Sequence, residues 1–442
     1  MGLFTRFAYF TADKDIDILP ITLLVTIVVF ILVAVVQAQV LKLPRNIWLL
    51  FLAQPLAMSA SPVLVFIGGI LASKMAPDPS LATLPLTTMI LGVAAATIPA
   101  AMLAKKVGRK KATLSGFSFA FIGSVLAMFA AANGWFWLFI IASLSIGISL
   151  AFVQQLRFAA IESAGVGNDT SKALAALMFA GLFAAFLGPE VAVMAREWLD
   201  SPYGYAGSFG VLALMVLMAM VIMLFFDDPP MSDNPQDGQT RSLVTITKQP
   251  LFIVAITVSV CGYGLMSLLM TATPLSMHNN VGHSLVDTKW VIQSHITAMY
   301  LPSLFTPWLA KRLGLQNLLL IGTMALFLVC VVALSGQAVM HYWWTLVLLG
   351  LGWNLLFFSG TSLLPQTYHN NERHKVQAIN DFTIFFVQGL SSLLAGWLLF
   401  KSSWHTLVYA SVPFIIIVFI ASIYYYRQQK ANLIIGNKVK RR

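Results

Sequence analysis

Long apolar runs constrain the fold of this chain more than any other feature of its sequence. Each run can cross about 30 Å of hydrocarbon, and the chain is 59% hydrophobic but only 10% charged. That composition provides too little polar surface for a soluble globule of this size. Since lipid cannot pair the polar groups of an open sheet edge, we predict that every run is helical. The thirteen predicted segments are residues 18–40, 48–73, 81–104, 112–132, 135–157, 172–195, 207–226, 250–275, 290–310, 316–336, 342–366, 377–400 and 405–426.

A polar interruption rich in proline and acidic residues divides these segments into seven and six. We therefore predict an all-α integral membrane protein with two six-helix bundles and one extra N-terminal transmembrane helix. The predicted divisions are an N-terminal segment 1–45 containing the extra helix, a bundle 46–226, a cytoplasmic linker 227–249, a second bundle 250–427 and a basic cytoplasmic tail 428–442.

The positive charge of the chain is arranged along it in a pattern that predicts orientation. The net charge of +11 would suggest nucleic acid in a soluble protein, but 21 of the 27 Lys and Arg residues fall in alternate loops and the C-terminal end. This asymmetry predicts a cytoplasmic C-terminus and an outer N-terminus, with the tail against anionic lipid headgroups and no nucleic-acid partner. Because a polar acidic stretch precedes the first apolar run, we predict no cleavable signal peptide. Cys261 and Cys330 lie inside apolar segments and indicate no disulfide.

Two doublets of metal-capable side chains stand on consecutive apolar segments. Met266 and Met270 form the first, and His295 and Met299 form the second. Residues four apart share a helix face, and thioether and imidazole groups suit Cu(I). If the antiparallel segments leave their connecting loop at similar depth, Met270 is level with His295 and Met266 with Met299. Helix packing is the alternative for the methionines, and a hydrogen-bonded packing role is the alternative for His295.

The outer loop between the doublets adds further soft or imidazole ligands. Met277, His278 and His283 are predicted there as an entry site that docks metal before the paired ligands take it. Ordinary solvated loop residues are the competing interpretation.

Acidic and helix-breaking residues within the membrane segments suggest coupling and gating roles. Glu190 and Asp381 are the acids expected at membrane depth, where proton relay competes with structural hydrogen bonding. Pro274 lacks the amide proton of a regular helix, so it either kinks its helix or ends it. Arg157 and Glu162 close a helix at the cytoplasmic face and are predicted to form an interdomain ion pair or latch.

The loop after the second core helix resembles a signature of the major facilitator superfamily. In 101–110 the Gly108-Arg109-Lys110 part of that signature is present, but Lys105 occupies its acidic position, and 309–314 departs in the same way. Further stretches resemble the CcoA-like copper-importer branch, in which the MxxxM and HxxxM pairs are the proposed copper ligands. Related members resemble flavin transporters. The stretches are 54–62, 76–85, 152–162, 186–190, 270–274 and 293–295.

From the residues and the resemblance together, we predict an alternating-access importer of copper, as Cu(I), in the bacterial inner membrane. Copper is its cargo rather than a cofactor. The predicted protein is a monomer that passes copper to a cytoplasmic acceptor. One alternative is an importer of an organic solute, such as a flavin or a metal chelate; another is a non-transporting membrane sensor. We predict no enzyme, since no nucleophile and base constellation or phosphate-binding loop is found. Polar residues that either contact an organic cargo or bond between helices are Gln54, Gln154, Gln155, Asn354 and Gln388.

Overall fold

A computed structural model describes Val28 and residues 43–164, 169–228, 241–369 and 372–440. The predicted extra helix at 18–40 and most of the predicted linker lie outside these ranges. Every regular element within the described ranges is helical, and ten helices there are long and apolar enough to cross a membrane by length and composition. The predicted all-α membrane fold is confirmed.

The first six core helices occupy the positions predicted from the apolar runs. Helix α1 spans Arg45–Met75 and contains a π-helical turn at Leu64–Gly68. The other five are α2 (Leu84–Val107), α3 (Arg109–Asn133), α4 (Phe136–Ala164), α5 (Asp169–Met194) and α6 (Ala206–Leu224).

Six further core helices follow a short helix at Leu243–Thr247. They are α7 (Pro250–Pro274), α8 (Leu285–Tyr300), α9 (Leu315–Ser335), α10 (Val339–Leu363), α11 (Arg373–Lys401) and α12 (Val412–Lys440). Helix α8 gives way to a 3₁₀ turn at Leu301–Leu304 and a second helix at Thr306–Leu313. The predicted continuous helix 290–310 is therefore wrong in detail, because the observed helix begins at Leu285 and is interrupted at Leu301–Leu304.

The helices form two compact units whose limits fall inside α2 and α8. The first has the limits Met1–Met75, Pro99–Pro230 and Ser284–Trp290, and the second Ala76–Ile98, Met231–His283 and Val291–Arg442. In the first unit α3 packs on α4 and α6, and α1 packs on α5. In the second unit α9 packs on α10 and α12, and α7 packs on α11. The same pairings thus recur six helices later, as expected for an internal structural repeat.

A proline precedes a π-helical stretch in the first helix of each set of six. Pro62 lies just before Leu64–Gly68 in α1, and Pro274 lies just before Leu275–Val281, which continues α7. Proline cannot donate the amide hydrogen bond of a regular turn, and wider turns of this kind occur often at functional sites. The chain therefore stays helical beyond Pro274 until Gly282, and a hinge at Pro274 remains a prediction.

Two glycines begin equivalent helices with nearly the same unusual backbone. Gly108 has φ 89° and ψ 164° at the start of α3, and Gly314 has φ 79° and ψ 153° at the start of α9. This region is essentially restricted to glycine. At Gly108 the carboxylate of Asp228 also accepts a 2.7 Å hydrogen bond from the Lys110 amide. A carboxylate from beyond α6 thus lies at the motif loop, whose own acidic position holds Lys105.

The C-terminal end of the predicted linker is fixed by a buried carboxylate. The Glu372 carboxylate accepts bonds from the Arg241 amide at 2.8 Å and from Arg241 Nε at 2.9 Å. It also accepts from Arg241 Nη2 and from the His369 amide. The hydrogen bonds from the guanidinium are the main cause that lowers the pKa of Glu372 to about 2.

We expect the Arg241–Glu372 pair to make stability depend on pH in a defined window. The folded pKa of Glu372 lies below its ordinary value of 4.5. The pair therefore stabilises the folded chain above pH 4.5 and loses that contribution as pH falls toward 2. Melting curves of wild type and Glu372→Gln in detergent should differ at pH 7 and converge at low pH. Exposed Glu197→Gln is the control, and a difference independent of pH would contradict the assignment.

Candidate substrate site

The four predicted metal ligands all lie in the second unit. Met266 and Met270 are buried on α7, and His295 and Met299 are buried on α8. The two helices are consecutive in the chain. A shared metal site requires that they hold the two doublets at the same depth.

Helix α10 contacts both α7 and α8 and gives them a common depth scale. Ser276, in the π-helical continuation of α7, shares a 2.6 Å hydrogen bond with the Tyr342 hydroxyl. Farther along, a Cβ at Gly262 would lie 3.7 Å from Leu356. The two helices therefore run antiparallel in a regular register, with residue numbers falling on α7 as they rise on α10.

His295 falls at the depth of Met270 on this scale. Its Nδ1 donates to the Leu346 carbonyl at 2.7 Å, and its own carbonyl oxygen would be 2.8 Å from a Cβ at Gly350. Because Nδ1 is the donor, a neutral ring has its lone pair on Nε2. That atom is fully buried and has no hydrogen-bond partner within the described part of the chain. A second-shell bond of this kind is typical of an imidazole that ligates a metal through its other nitrogen.

Met299 falls at the depth of Met266, next to an asparagine that joins three segments. Asn354 Nδ2 donates to the Met299 carbonyl at 2.7 Å and to Ser303 Oγ at 2.7 Å. Asn354 Oδ1 accepts from Thr306 at 2.8 Å. These bonds use the amide to hold the chain across the break after α8, so the structure assigns Asn354 a structural role.

Five aromatic rings from four helices meet in the middle of the second unit. Tyr263 of α7 packs edge-on against Trp353 and Phe357 of α10, with centroids 5.0 and 5.2 Å away, and against Phe385 of α11 at 6.2 Å. Trp353 and Phe357 stack at 5.1 Å with their planes 14° apart. Tyr300, at the end of α8, contacts Trp353 at 6.1 Å. We call these five residues the aromatic cluster; the sequence analysis did not predict it.

Several buried polar atoms in the second unit lack a partner. Among the described residues they include Ser267 Oγ on α7, His295 Nε2 on α8, and Thr345 Oγ1 and Trp353 Nε1 on α10. Buried polar groups are nearly always hydrogen-bonded, so such atoms need an explanation. They are one indole donor, one imidazole acceptor and two hydroxyls.

Two of the three predicted entry residues do not lie in the outer loop that the sequence suggested. Met277 and His278 belong to the π-helical stretch, and Met277 is fully buried. His278 Nδ1 bonds to the His283 carbonyl at 3.1 Å, and His283 Nε2 bonds to the Gln337 carbonyl at 2.8 Å. The loop placement is corrected for Met277 and His278 because the helix continues past Pro274, whereas His283 lies in the short loop before α8.

Glu190 has a buried cationic partner that the sequence analysis missed. Lys289 Nζ lies 2.9 and 3.0 Å from the two carboxylate oxygens of Glu190, and both side chains are less than 10% exposed. The helix was predicted to begin at 290, which left Lys289 in a loop. Helix α8 begins at Leu285 instead, so Lys289 is a helical residue within the first unit.

The remaining predicted residues occupy the ends of helices. Glu162 pairs with Arg109, whose Nε donates at 2.8 Å, so the motif arginine holds the end of α4 to α3 inside one unit. Arg157 lies over the Phe158 ring at 4.8 Å. The predicted interdomain ion pair is therefore corrected for Glu162, whose partner lies in the same unit, and a latch role for Arg157 stays a prediction. Asp381 is partly buried near the start of α11 and accepts from Asn380 Nδ2 at 3.1 Å.

Within the described ranges, no cluster of three or more His, Cys, Asp or Glu residues could hold a metal ion. The number and length of the apolar helices define the class as a polytopic helical membrane protein.

Comparison with known proteins identifies the family. The Major Facilitator Superfamily model matches residues 47–391 and 259–439, and the chain belongs to this superfamily. It is similar to the riboflavin transporter RfnT of Brucella anthropi, with 34% identity over 381 residues that cover 85% of this chain and 94% of that protein. It is also similar to the uncharacterised transporter YddS of Bacillus subtilis, with 26% identity over 83% of this chain and 88% of that protein.

A solved structure supports the same fold. A POT family transporter in complex with 5-aminolevulinic acid superimposes with a TM-score of 0.68 at 13% identity, covering 86% of this chain and 96% of that one. The comparisons establish the superfamily and a membrane transporter, whereas the copper-importer branch depends on the sequence resemblance.

Proposed function

We propose that this chain transports an organic solute of the flavin class across a membrane. The observation that carries the proposal is its 34% identity to a riboflavin transporter along nearly the whole length of both chains. The proposal adopts the organic-solute alternative in place of copper transport, which was the first prediction from the sequence.

The second unit contains groups suited to such a solute. A flavin has a flat conjugated ring with carbonyl acceptors and N–H donors, and its side chain carries hydroxyls. The aromatic cluster offers ring surfaces, and the buried atoms of Ser267, His295, Thr345 and Trp353 offer hydrogen bonds. Aromatic walls with a few polar groups are typical of small-molecule sites.

The charge pattern and the family support a proposal for the wider setting. We propose alternating access in a bacterial inner membrane, with the N-terminus outside, the C-terminus cytoplasmic and the monomer as the working form. The predicted cytoplasmic copper acceptor has no role for a flavin cargo and belongs to the copper alternative.

The test is uptake of labelled riboflavin by proteoliposomes that contain the full chain. We expect time-dependent accumulation that unlabelled riboflavin competes away and that protein-free liposomes lack. Accumulation equal to that of protein-free liposomes would reject the proposal.

Copper remains a second candidate because of the His295 geometry. Its Nδ1 is bonded to a carbonyl while its buried Nε2 lacks a partner among the described residues. The equal depth of the Met266/Met270 and His295/Met299 doublets also supports copper as the cargo. A Met266→Leu/Met270→Leu variant separates the candidates, because leucine keeps the apolar volume but removes both thioethers.

We expect this double variant to retain riboflavin uptake within about threefold, since volume-conserving swaps cost little. If copper is the cargo, labelled copper uptake by wild type should be measurable and should fall at least about tenfold in the variant. Met324→Leu, on an exposed position of α9, is the matched control. Copper uptake that survives the double variant would remove the metal proposal.

A further inference from the structure

We infer that the aromatic cluster binds the planar ring of the solute and that Trp353 Nε1 donates to a ring carbonyl. This inference rests on the proposed function and names the part of the chain that recognises the conjugated ring. It involves Tyr263, Tyr300, Trp353, Phe357 and Phe385, none of which was singled out by the sequence.

Two rings of the cluster, those of Tyr263 and Trp353, lie at the middle of their helices. Tyr263 is residue 14 of the 25 in α7, and Trp353 is residue 15 of the 25 in α10. Each helix is about 37 Å long at 1.5 Å per residue, so each of the two rings lies near the midpoint of its own helix. Substrates of secondary transporters bind near the bilayer midplane, so the cluster has the required depth.

A helix break adjoins the cluster at the same place. Helix α8 ends at Tyr300, and a 3₁₀ turn follows at Leu301–Leu304. Irregular backbone at membrane depth is tolerated where it is buried in protein or lines a cavity. Interrupted helices are also a common source of substrate contacts in transporters. The break is therefore a second, independent indication of a site.

The rings of the aromatic cluster differ in how deeply they are buried. Trp353 is 3% exposed, whereas Tyr263, Tyr300, Phe357 and Phe385 are each only partly buried. Aromatic rings bind one another by offset stacking or edge-to-face contact, and a conjugated heterocycle offers both. Partly buried faces at this depth leave ring surface for such contact.

The Trp353 indole N–H determines which edge of the solute ring we expect to face the cluster. The indole nitrogen of Trp353 can only donate, and it lacks a partner in the described chain. Asn354, the adjacent polar residue, is occupied by Met299, Ser303 and Thr306. The available group thus favours a ligand that presents a carbonyl oxygen.

The test is quenching of riboflavin fluorescence by the purified full-length chain in detergent. Trp353→Phe keeps the ring and removes the donor, so we expect affinity to fall about fivefold, the effect of one neutral hydrogen bond. Tyr263→Leu should lower it about tenfold through lost ring contact. Trp344→Phe, at an exposed position of the same helix, is the matched control and should leave affinity unchanged.

Competition identifies the part of the solute that is recognised. Lumichrome, which has the ring without the polyol chain, should displace riboflavin, and ribitol should not. Unchanged affinity in folded Trp353→Phe and Tyr263→Leu, or equal competition by ribitol, would overturn the ring site while leaving flavin transport intact. No riboflavin binding by wild type would reject the proposed function and the ring site together.

Discussion

Replacing Lys289 with methionine is expected to destabilise the chain by about 3–5 kcal/mol, because it leaves the buried Glu190 carboxylate without its cation. Both side chains are more than nine-tenths buried and lie within 3.0 Å of each other. Methionine approximates the length of lysine, so packing is largely kept and charge is the main change. Thermal melting in detergent and riboflavin uptake measure the effect.

A double variant separates a structural pair from a functional one. Glu190→Gln combined with Lys289→Met removes both charges, and such neutral replacements often recover stability. If Glu190 takes part in proton coupling, as its position suggested, the double variant should melt like wild type but fail to transport. Recovery of uptake would make the pair structural only. The exposed Lys401 and Asp78 pair is the control, and Lys401→Met should cost less than about 1 kcal/mol.

Gly108→Ala is expected to lower the free energy of unfolding by about 1–3 kcal/mol through backbone strain. We also expect it to weaken the hydrogen bond between Asp228 and the Lys110 amide at the motif loop. A Cβ there would lie 2.5 Å from Asp228 Oδ2 and would displace the carboxylate from the Lys110 amide. Gly282→Ala is the matched control, because Gly282 also has positive φ but nothing lies within 4 Å of its Cβ position. Equal melting temperatures for the two variants would contradict this explanation.

The helices could be predicted from the sequence because membrane depth requires long apolar runs, and twelve predicted segments overlap α1–α12. Details that depend on local hydrogen bonding could not be predicted in this way. The π-helical stretch after Pro274 moved Met277 and His278 out of the loop, and the earlier start of α8 made Lys289 a helical residue. Neither effect changes hydrophobic periodicity, the signal that the sequence offered.

The substrate site was harder to predict than the fold. The Met and His doublets were visible because the two members of each are four positions apart on one helix, which is a local pattern. The aromatic cluster joins Tyr263 to Phe385, and no periodicity links residues so far apart in a chain rich in phenylalanine and tryptophan. The partner of Glu162 is likewise distant in sequence. Such tertiary contacts require coordinates.

The matched backbone of Gly108 and Gly314 provides a reference point for comparing the two halves of this chain. Both lie at the start of the third helix of their set of six, and both adopt a conformation that side chains exclude. Side chains in duplicated halves can diverge until no similarity remains, but this bend leaves glycine as the sole residue suited to it. An alignment of the two halves can therefore begin by superposing these two positions. The divergence of the other residues can then be measured relative to them.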